Sequence, residues 1–279
     1  MTSWLESKAP TRFDDLLTSD AIKDTLQTAS TNSNPPHLLL SGPGGVGKTA
    51  IMRMLARQLL GPGWQATTHI LNAKDLSRTA GAMKTFEEFI RPSGSSSSLA
   101  GLTSLDIFTE TLAEVPNDAG PPSGQETFNL NLDGRIKLSR IIVIEDADYL
   151  GNLRQAYLRR MMEHSSLTSR FIFTTTTPSR LIEALRSRVQ HIRLPRYENK
   201  VVEDKLETIV TAEGLQPVKG VIGDIAHVSE GNIRKAVFIL ELMAKRDLLT
   251  NRRHLQHLVS TTKVREIQQV LEEAMRGRV

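Results

Sequence analysis

The sequence feature that most constrains the fold is a glycine-rich run at residues 42–49 (GPGGVGKT), which matches the pattern G-x-x-x-x-G-K-[ST]. Before it, residues 38–40 are all leucine, as in a buried strand; after it, apolar residues recur at helical spacing between residues 51 and 60. Strand, loop and helix in this order are typical of a phosphate-binding loop. The alternative, an ordinary glycine-rich turn before a helix, does not require the complete pattern. The candidate loop residues are Gly42, Pro43, Gly44, Gly45, Val46, Gly47, Lys48 and Thr49.

Each residue type in this loop has a physical reason. Glycine lets the backbone turn its N–H groups toward an anion, and the following helix adds the positive end of its dipole. Lys48 is expected to reach the β- and γ-phosphates of a nucleotide, and the Thr49 hydroxyl to bind a Mg²⁺ ion that bridges them. The loop therefore predicts nucleotide binding with Mg²⁺.

A second candidate feature is a pair of carboxylates that follows four consecutive β-branched residues, 141–144. Such a run is typical of a strand that is buried on both faces of a parallel sheet. Glu145 and Asp146 come directly after it, where a magnesium ligand and a water-activating base are expected in a protein with a phosphate-binding loop. The alternative is that these charges only mark the exit of the strand to solvent.

Composition excludes several classes. The 279 residues contain no cysteine, so disulfides and thiolate metal sites are excluded, and the seven histidines show no zinc-ligand spacing. The formal charge of +4 permits contact with nucleic acid without showing it. No stretch approaches the ~20 apolar residues that span a bilayer, and the N-terminus lacks the features of a signal peptide. We therefore expect no membrane association and a cytoplasmic location.

Strands and helices alternate up to Pro195, which predicts an α/β fold with a central parallel sheet. We expect an α/β domain at residues 1–195, a helical domain at 196–259 and a further helical piece at 260–279. Residues 4–10 are expected to be extended, because proline disfavours helix in its predecessor. Residues 91–138 are expected to be an insertion that ends in a hairpin at 127–138.

Several stretches, taken with the loop, resemble the AAA+ ATPases, and more narrowly the small subunits of replication factor C, the archaeal and eukaryotic clamp loader. The similar stretches are residues 4–10 (Trp…Lys-Ala-Pro, against Trp…Lys-Tyr-Arg-Pro), 36–43 (the first strand and loop), 71–75 (Leu-Asn-Ala-Lys-Asp, against Leu-Asn-Ala-Ser-Asp), 155–163 (QAYLRRMME, against QQALRRTME), 187–189 (Ser-Arg-Val, against Ser-Arg-Cys) and 231–236 (Gly-Asn-Ile-Arg-Lys-Ala, against Gly-Asp-Met-Arg-Arg-Ala). The resemblance covers nearly the whole chain except the insertion. It implies an AAA+ P-loop domain with a helical lid, followed by a collar domain that is cut short here.

The resemblance also implies roles for individual residues in ATP hydrolysis. Glu145 and Asp146 stand where the family has its magnesium-associated Asp and its catalytic Glu. Thr176 falls at the polar sensor position near the γ-phosphate, and Arg234 at the second sensor on the lid. Arg188 would be an arginine finger that acts in trans on the nucleotide of a neighbouring subunit.

Further residues and partners follow from the same resemblance. Pro10 and Ala50 fall among its nucleotide-binding positions, and Arg78 and Lys84 lie near its DNA-facing helix, although exposed helix charges explain that pair equally well. The partners implied are other clamp-loader subunits in a hetero-oligomer, typically a pentamer, together with a sliding clamp and primer–template DNA. In a eukaryote the expected location is the nucleus.

The sequence departs from the family at two site positions. The order Glu145-Asp146 reverses the family's Asp-Glu, and Thr176 replaces an Asn. Because a base must lie within hydrogen-bond reach of its water, these changes predict weak or absent hydrolysis.

Three functions remain open on the sequence. The first is an ATPase subunit that couples ATP binding and hydrolysis to loading of the clamp on primer–template DNA during replication. The second is a structural subunit that binds nucleotide and donates Arg188 without hydrolysing its own ATP. The third is another AAA+ DNA-remodelling ATPase; that class usually carries a winged-helix domain after the lid, which we do not expect in residues 260–279.

Overall fold

The computed structural model describes residues 3–32, 34–61, 64–90, 120–125, 138–164, 169–258 and 260. The described residues divide into two compact units, Ala9–Pro195 and a second unit that joins residues 3–8 to the described residues from Arg196 onward. The sequence analysis instead assigned the first eight residues to the α/β domain. The expected hairpin, most of the expected insertion and almost all of the C-terminal piece 260–279 lie outside the described residues.

The first unit is built on a five-stranded sheet in which every neighbouring pair is parallel. Its strands are β1 (Leu38–Ser41), β2 (Thr68–Asn72), β3 (Arg140–Glu145), β4 (Ser169–Thr175) and β5 (Gln190–Arg193). They run side by side in the order β2-β3-β4-β1-β5. The prediction of an α/β fold with a central parallel sheet is confirmed.

The helices alternate with the strands in the first unit and stand alone in the second. They are α1 (Trp4–Ser7), α2 (Asp20–Thr31), α3 (Lys48–Leu60), α4 (Trp64–Thr67), α5 (Ala73–Leu76), α6 (Ala82–Ile90), α7 (Gly151–His164), α8 (Glu183–Arg186), α9 (Asn199–Ala212), α10 (Val221–Ser229) and α11 (Ile233–Lys245). Residues 252–258 are also helical. No helix among the described residues is both long and apolar enough to cross a membrane.

The sheet is fixed by a core that joins strands to helices. This core includes Leu39, Ile142, Ile144, Phe171 and Phe173 of the strands, with Phe86 and Ile90 of α6 and Leu158 and Met162 of α7. Every residue of β4 is buried, and its sequence, SRFIFTT, shows no alternation of polar and apolar residues, as expected of a central strand that is covered on both faces. The carboxyl ends of the parallel strands therefore meet at one rigid edge.

The second unit is helical, and the N-terminal segment belongs to it. Residues of α9, α10 and α11 form its core, and Trp4 and Leu5 pack against that core. Trp4–Ser7 is a helix rather than the extended segment expected for residues 4–10, because Ser3 Oγ accepts a hydrogen bond from the Leu5 N–H at 3.3 Å and caps it. The buried carboxylate of Glu241 accepts from both Ser3 Oγ (3.0 Å) and the Trp4 N–H (3.1 Å).

Candidate functional site

The glycine-rich loop leaves the carboxyl end of β1 and leads directly into α3. Three of its glycines, Gly42, Gly45 and Gly47, have φ values of 153°, 77° and 93°, which side-chain-bearing residues rarely adopt. At Gly42 space is also limiting, because an added Cβ would lie 2.3 Å from the carbonyl oxygen of Leu194. The glycines are therefore required for the path of the backbone at the sheet edge.

The loop places a cation and a hydroxyl at the start of α3. Lys48 Nζ donates hydrogen bonds to the carbonyl oxygens of Gly42 (2.7 Å) and Pro43 (2.8 Å), so its ammonium group lies over the loop. Thr49 follows it in the first turn of a 13-residue helix, whose N-terminus adds a partial positive charge. A curved backbone, an ammonium and a helix N-terminus at one place fit the phosphates of a nucleotide.

The carboxyl end of β3 brings the acidic pair to this loop. Thr49 Oγ1 donates to Glu145 Oε1 at 3.4 Å, so a hydroxyl and a carboxylate lie side by side. Among the described residues no group of three or more His, Cys, Asp or Glu side chains could hold a metal. A Mg²⁺ ion usually takes one or two carboxylates and fills its other positions with water and phosphate oxygens. Thr49 and Glu145 fit that mode of binding.

Asp146 has an unusual backbone conformation. Its φ of 50° and ψ of 45° are left-handed, and it starts the short 3-10 turn Ala147–Tyr149, in which the Tyr149 N–H donates to the Asp146 carbonyl at 2.9 Å. A non-glycine residue in this region is uncommon and is often found at functional sites. The conformation turns the chain sharply, so Asp146 does not continue the strand as Glu145 does.

Asn72 is a residue of this site to which the sequence analysis gave no role. It ends β2 opposite Glu145, and its Nδ2 lies 3.5 Å from Asp146 Oδ2. Its Oδ1 meanwhile caps α5 by accepting from the N–H groups of Lys74 and Asp75. The signal available in the sequence was its position: an Asn at a strand end that also begins a helix is an N-cap.

The remaining candidate residues of the first unit lie around this edge. Thr176 is the first residue after β4 and is exposed. Pro10 precedes Thr11, whose carbonyl accepts a hydrogen bond from Arg57 of α3, so the segment is held against the helix of the loop. Ala50 follows Thr49 on α3. Their roles toward a nucleotide stay predictions.

Arg188 follows α8 and forms hydrogen bonds within the same chain. Its guanidinium donates to Glu163 Oε1 through Nε (3.1 Å) and Nη2 (2.7 Å), and to the Ala184 carbonyl through Nη1 (2.7 Å). The Arg188 and Glu163 side chains are 36% and 42% exposed, so solvent screens the pair. Arg188 is therefore a surface cation held in one orientation.

Three further predicted residues are exposed cations. Arg234 is exposed on α11 of the second unit. Arg78 is exposed in the turn after α5, and Lys84 is exposed on α6 with Glu88 at 3.9 Å. The structure thus groups the loop, Glu145 and Asp146, and leaves the roles of these three side chains as predictions.

A histidine lies directly behind the loop. Ser41, the residue before Gly42, shares a 2.6 Å hydrogen bond between its Oγ and Nε2 of His191 on β5. Burial lowers the pKa of His191, and Arg193 and Arg186 lower it further. The lowered pKa favours the neutral ring, and in that form the hydrogen bond to Ser41 supports the loop without adding charge.

The comparisons with known proteins agree with this fold. The model of the AAA ATPase domain matches residues 18–174, more than half of the chain, and the chain belongs to this family. Among its relatives is a replication factor C small subunit of Methanoculleus marisnigri, 28% identical over 99% of this chain and 74% of that protein. The small subunit of Methanosarcina acetivorans is 28% identical over 98% of this chain and 70% of its own.

Solved structures of the same fold include RuvB of Thermotoga maritima, a Holliday junction branch migration motor. It superposes with a TM-score of 0.58 and 16% identity, over 91% of this chain and 72% of that chain. Identity this low shows the fold alone. The predicted AAA+ fold and the predicted similarity to replication factor C small subunits are both confirmed.

Proposed function

We propose that this chain is an ATP-binding small subunit of a sliding-clamp loader, and that it couples ATP binding and hydrolysis to the loading of a clamp on primer–template DNA. The observation that carries the proposal is the similarity to replication factor C small subunits over 99% of the chain. That similarity includes both compact units, so it extends beyond the nucleotide-binding fold that many AAA ATPases share.

The geometry at the sheet edge supports the nucleotide-binding part of the proposal. Lys48 would exchange its bonds to the Gly42 and Pro43 carbonyls for the β- and γ-phosphates. Thr49 and Glu145 would hold Mg²⁺, which neutralises charge on those phosphates when it is bound. Asp146 would accept a proton from the attacking water, and Thr176 would orient the γ-phosphate or that water.

Arg188 would act on the nucleotide of a neighbouring subunit. Because its pair with Glu163 is exposed, exchanging the carboxylate for a phosphate is cheap. An arginine supplied in trans makes hydrolysis depend on assembly. Arg234 would reach the nucleotide of its own subunit from the helical unit, and Arg78 and Lys84 would contact DNA phosphates.

A second candidate is a non-hydrolysing structural subunit of the same complex, and the acidic pair favours it. The position of the family's catalytic Glu holds Asp146, which is shorter by one methylene and lies 3.5 Å from the Asn72 amide. A base that falls short of its water by ~1 Å loses much of its effect. Such a subunit would still bind nucleotide and donate Arg188.

Steady-state ATP hydrolysis separates the two candidates. The chain is assayed alone and mixed with candidate loader subunits, a sliding clamp and primed DNA. The variants are Lys48→Ala and Arg188→Ala, with Lys219→Ala and Arg186→Ala as controls because both residues are exposed. An active subunit predicts that the mixture hydrolyses ATP and that Lys48→Ala and Arg188→Ala each remove much of this activity.

The other outcomes are equally informative. If Arg188→Ala abolishes activity and Lys48→Ala changes nothing, the structural candidate is correct. If neither variant differs from its control, the clamp-loader proposal is wrong.

A further inference from the structure

Thr175, the last residue of β4, joins three segments of the site, although no role was predicted for it. Its carbonyl accepts a hydrogen bond from the Gly42 N–H of the loop at 3.1 Å. Its hydroxyl donates to Asp148 Oδ1 at 2.6 Å and accepts from the Thr177 N–H at 3.0 Å. Thr175 is completely buried, and Asp148 is 9% exposed. The loop, the acidic turn and the end of β4 thus meet at one residue.

The hydroxyl of Thr175 both donates and accepts a hydrogen bond. A hydroxyl has one proton to donate and lone pairs to accept, and here the proton goes to a carboxylate and a lone pair to a backbone amide. Hydrogen bonds to charged groups are short and strong, and burial protects this one from competing water. The bond to Thr177 spans Thr176, so it fixes the bend that presents Thr176 at the surface.

Asp148 links the Thr175 hydrogen bond to Asp146, the other candidate catalytic residue. It is the middle residue of the 3-10 turn Ala147–Tyr149, which Asp146 begins in its left-handed conformation. Because only one residue separates Asp146 from Asp148, holding the Asp148 carboxylate at Thr175 limits where Asp146 can stand. The two hydrogen bonds of the buried Thr175 hydroxyl therefore position Asp146, through Asp148, and Thr176, through the Thr177 N–H.

We propose that Thr175 and Asp148 are positioning residues for ATP hydrolysis: their hydrogen bond sets Asp146 relative to the phosphate-binding loop, and the bond that the Thr175 hydroxyl accepts from Thr177 sets Thr176. This inference rests on the function proposed above. A purely structural role would lower stability, or weaken nucleotide binding along with turnover. A positioning role lowers kcat while nucleotide affinity is kept, because displacement of a catalytic group by ~1 Å costs up to ~100-fold in rate.

The test uses the full chain in the mixture of loader subunits, clamp and primed DNA. Thr175→Val removes the hydroxyl and keeps the shape, whereas Thr175→Ser keeps the hydroxyl. The matched control is Thr174→Val, a buried threonine one residue earlier on β4, whose side chain points to the opposite face of the sheet. We measure kcat, the Kd for ATP, the melting temperature, and amide hydrogen exchange of residues 42 and 177 in the isolated chain without nucleotide.

The expected result is a fall in kcat of roughly 10- to 100-fold for Thr175→Val, with Kd within about twofold of the original chain. Exchange at Thr177 should become faster, and Thr175→Ser and Thr174→Val should stay near the original activity. If Thr175→Val does not fold, Asp148→Asn takes its place. Its neutral side-chain oxygen weakens the same hydrogen bond, so kcat should fall at least several-fold at unchanged Kd.

Two results would overturn the inference, and only the second would also contradict the proposed hydrolysis of ATP at this site. If turnover depends on Lys48 but Thr175→Val keeps kcat within twofold, or loses affinity and kcat together, the inference fails and the proposed function stands. If the mixture has no turnover that depends on Lys48, hydrolysis at this site fails and the inference fails with it.

Discussion

Gly42→Ala gives a sharp test of the loop geometry, because the structure predicts both its direction and its size. An alanine Cβ would lie 2.3 Å from the Leu194 carbonyl oxygen and 3.2 Å from the Leu194 Cβ, so backbone must shift. Overpacking of this kind costs ~1–3 kcal/mol, and a φ of 153° adds ~1–3 kcal/mol of strain for alanine. We expect the free energy of unfolding of the first unit to fall by about 2–6 kcal/mol.

The matched control is Gly44→Ala in the same loop, where an added Cβ meets nothing within 4 Å. The buried Trp64 reports on the first unit, and Trp4→Phe removes the other tryptophan. At ~2–4 °C per kcal/mol for a unit of this size, Gly42→Ala should melt roughly 4–24 °C lower. The reasoning would be refuted if thermal and urea unfolding gave Gly42→Ala a free energy of unfolding within ~0.5 kcal/mol of that of Gly44→Ala.

Three further predictions concern individual side chains. Burial, with Arg170 nearby, lowers the pKa of His37 from 6.5 to about 4. Between these two values the unfolded chain binds a proton that the folded chain does not, so the free energy of unfolding should fall by about 2–3 kcal/mol from pH 7 to pH 4. Urea titrations across that pH range should show a smaller fall for His37→Gln. Glu241→Gln weakens the carboxylate hydrogen bonds that hold Ser3 and Trp4, so urea unfolding of the second unit should lose about 2 kcal/mol, against no change in exposed Glu207→Gln. A double-mutant cycle of Glu163→Gln with Arg188→Ala should give a coupling energy under ~1 kcal/mol, because the ion pair is exposed. A larger coupling energy would contradict the proposal that Arg188 is easily released.

The loop and the strands were predictable because their signals are local. The run at 141–144 indicates a buried strand from its own composition, and β3 extends it by one residue at each end, Arg140 and Glu145. Residues 174–177 are four consecutive threonines, and β4 ends at the second of them, Thr175. The Thr175 hydroxyl accepts the Thr177 N–H and turns the chain there, which a run of four threonines does not reveal.

Features that depend on distant residues were not predictable from the sequence. The N-terminal segment joins the second unit because Glu241, 237 positions away, accepts the Trp4 N–H. The acidic turn is fixed by Thr175, 27 positions from Asp148. Local pattern carries no information about either partner, nor about the order β2-β3-β4-β1-β5. The sequence thus identified the loop and the acidic pair, and the structure supplied Asn72, Thr175 and Asp148.

The central claim, that the loop at residues 42–49 binds a nucleotide with Mg²⁺, is tested most directly by equilibrium binding of ATP to the isolated chain. Titrations with a fluorescent ATP analogue compare the original chain, Lys48→Ala and the control Lys219→Ala, each with and without Mg²⁺. The account predicts saturable binding that Mg²⁺ strengthens, that Lys219→Ala retains and that Lys48→Ala weakens by ~10-fold or more, since a charge-assisted contact is lost. Equal binding by Lys48→Ala and Lys219→Ala would contradict it.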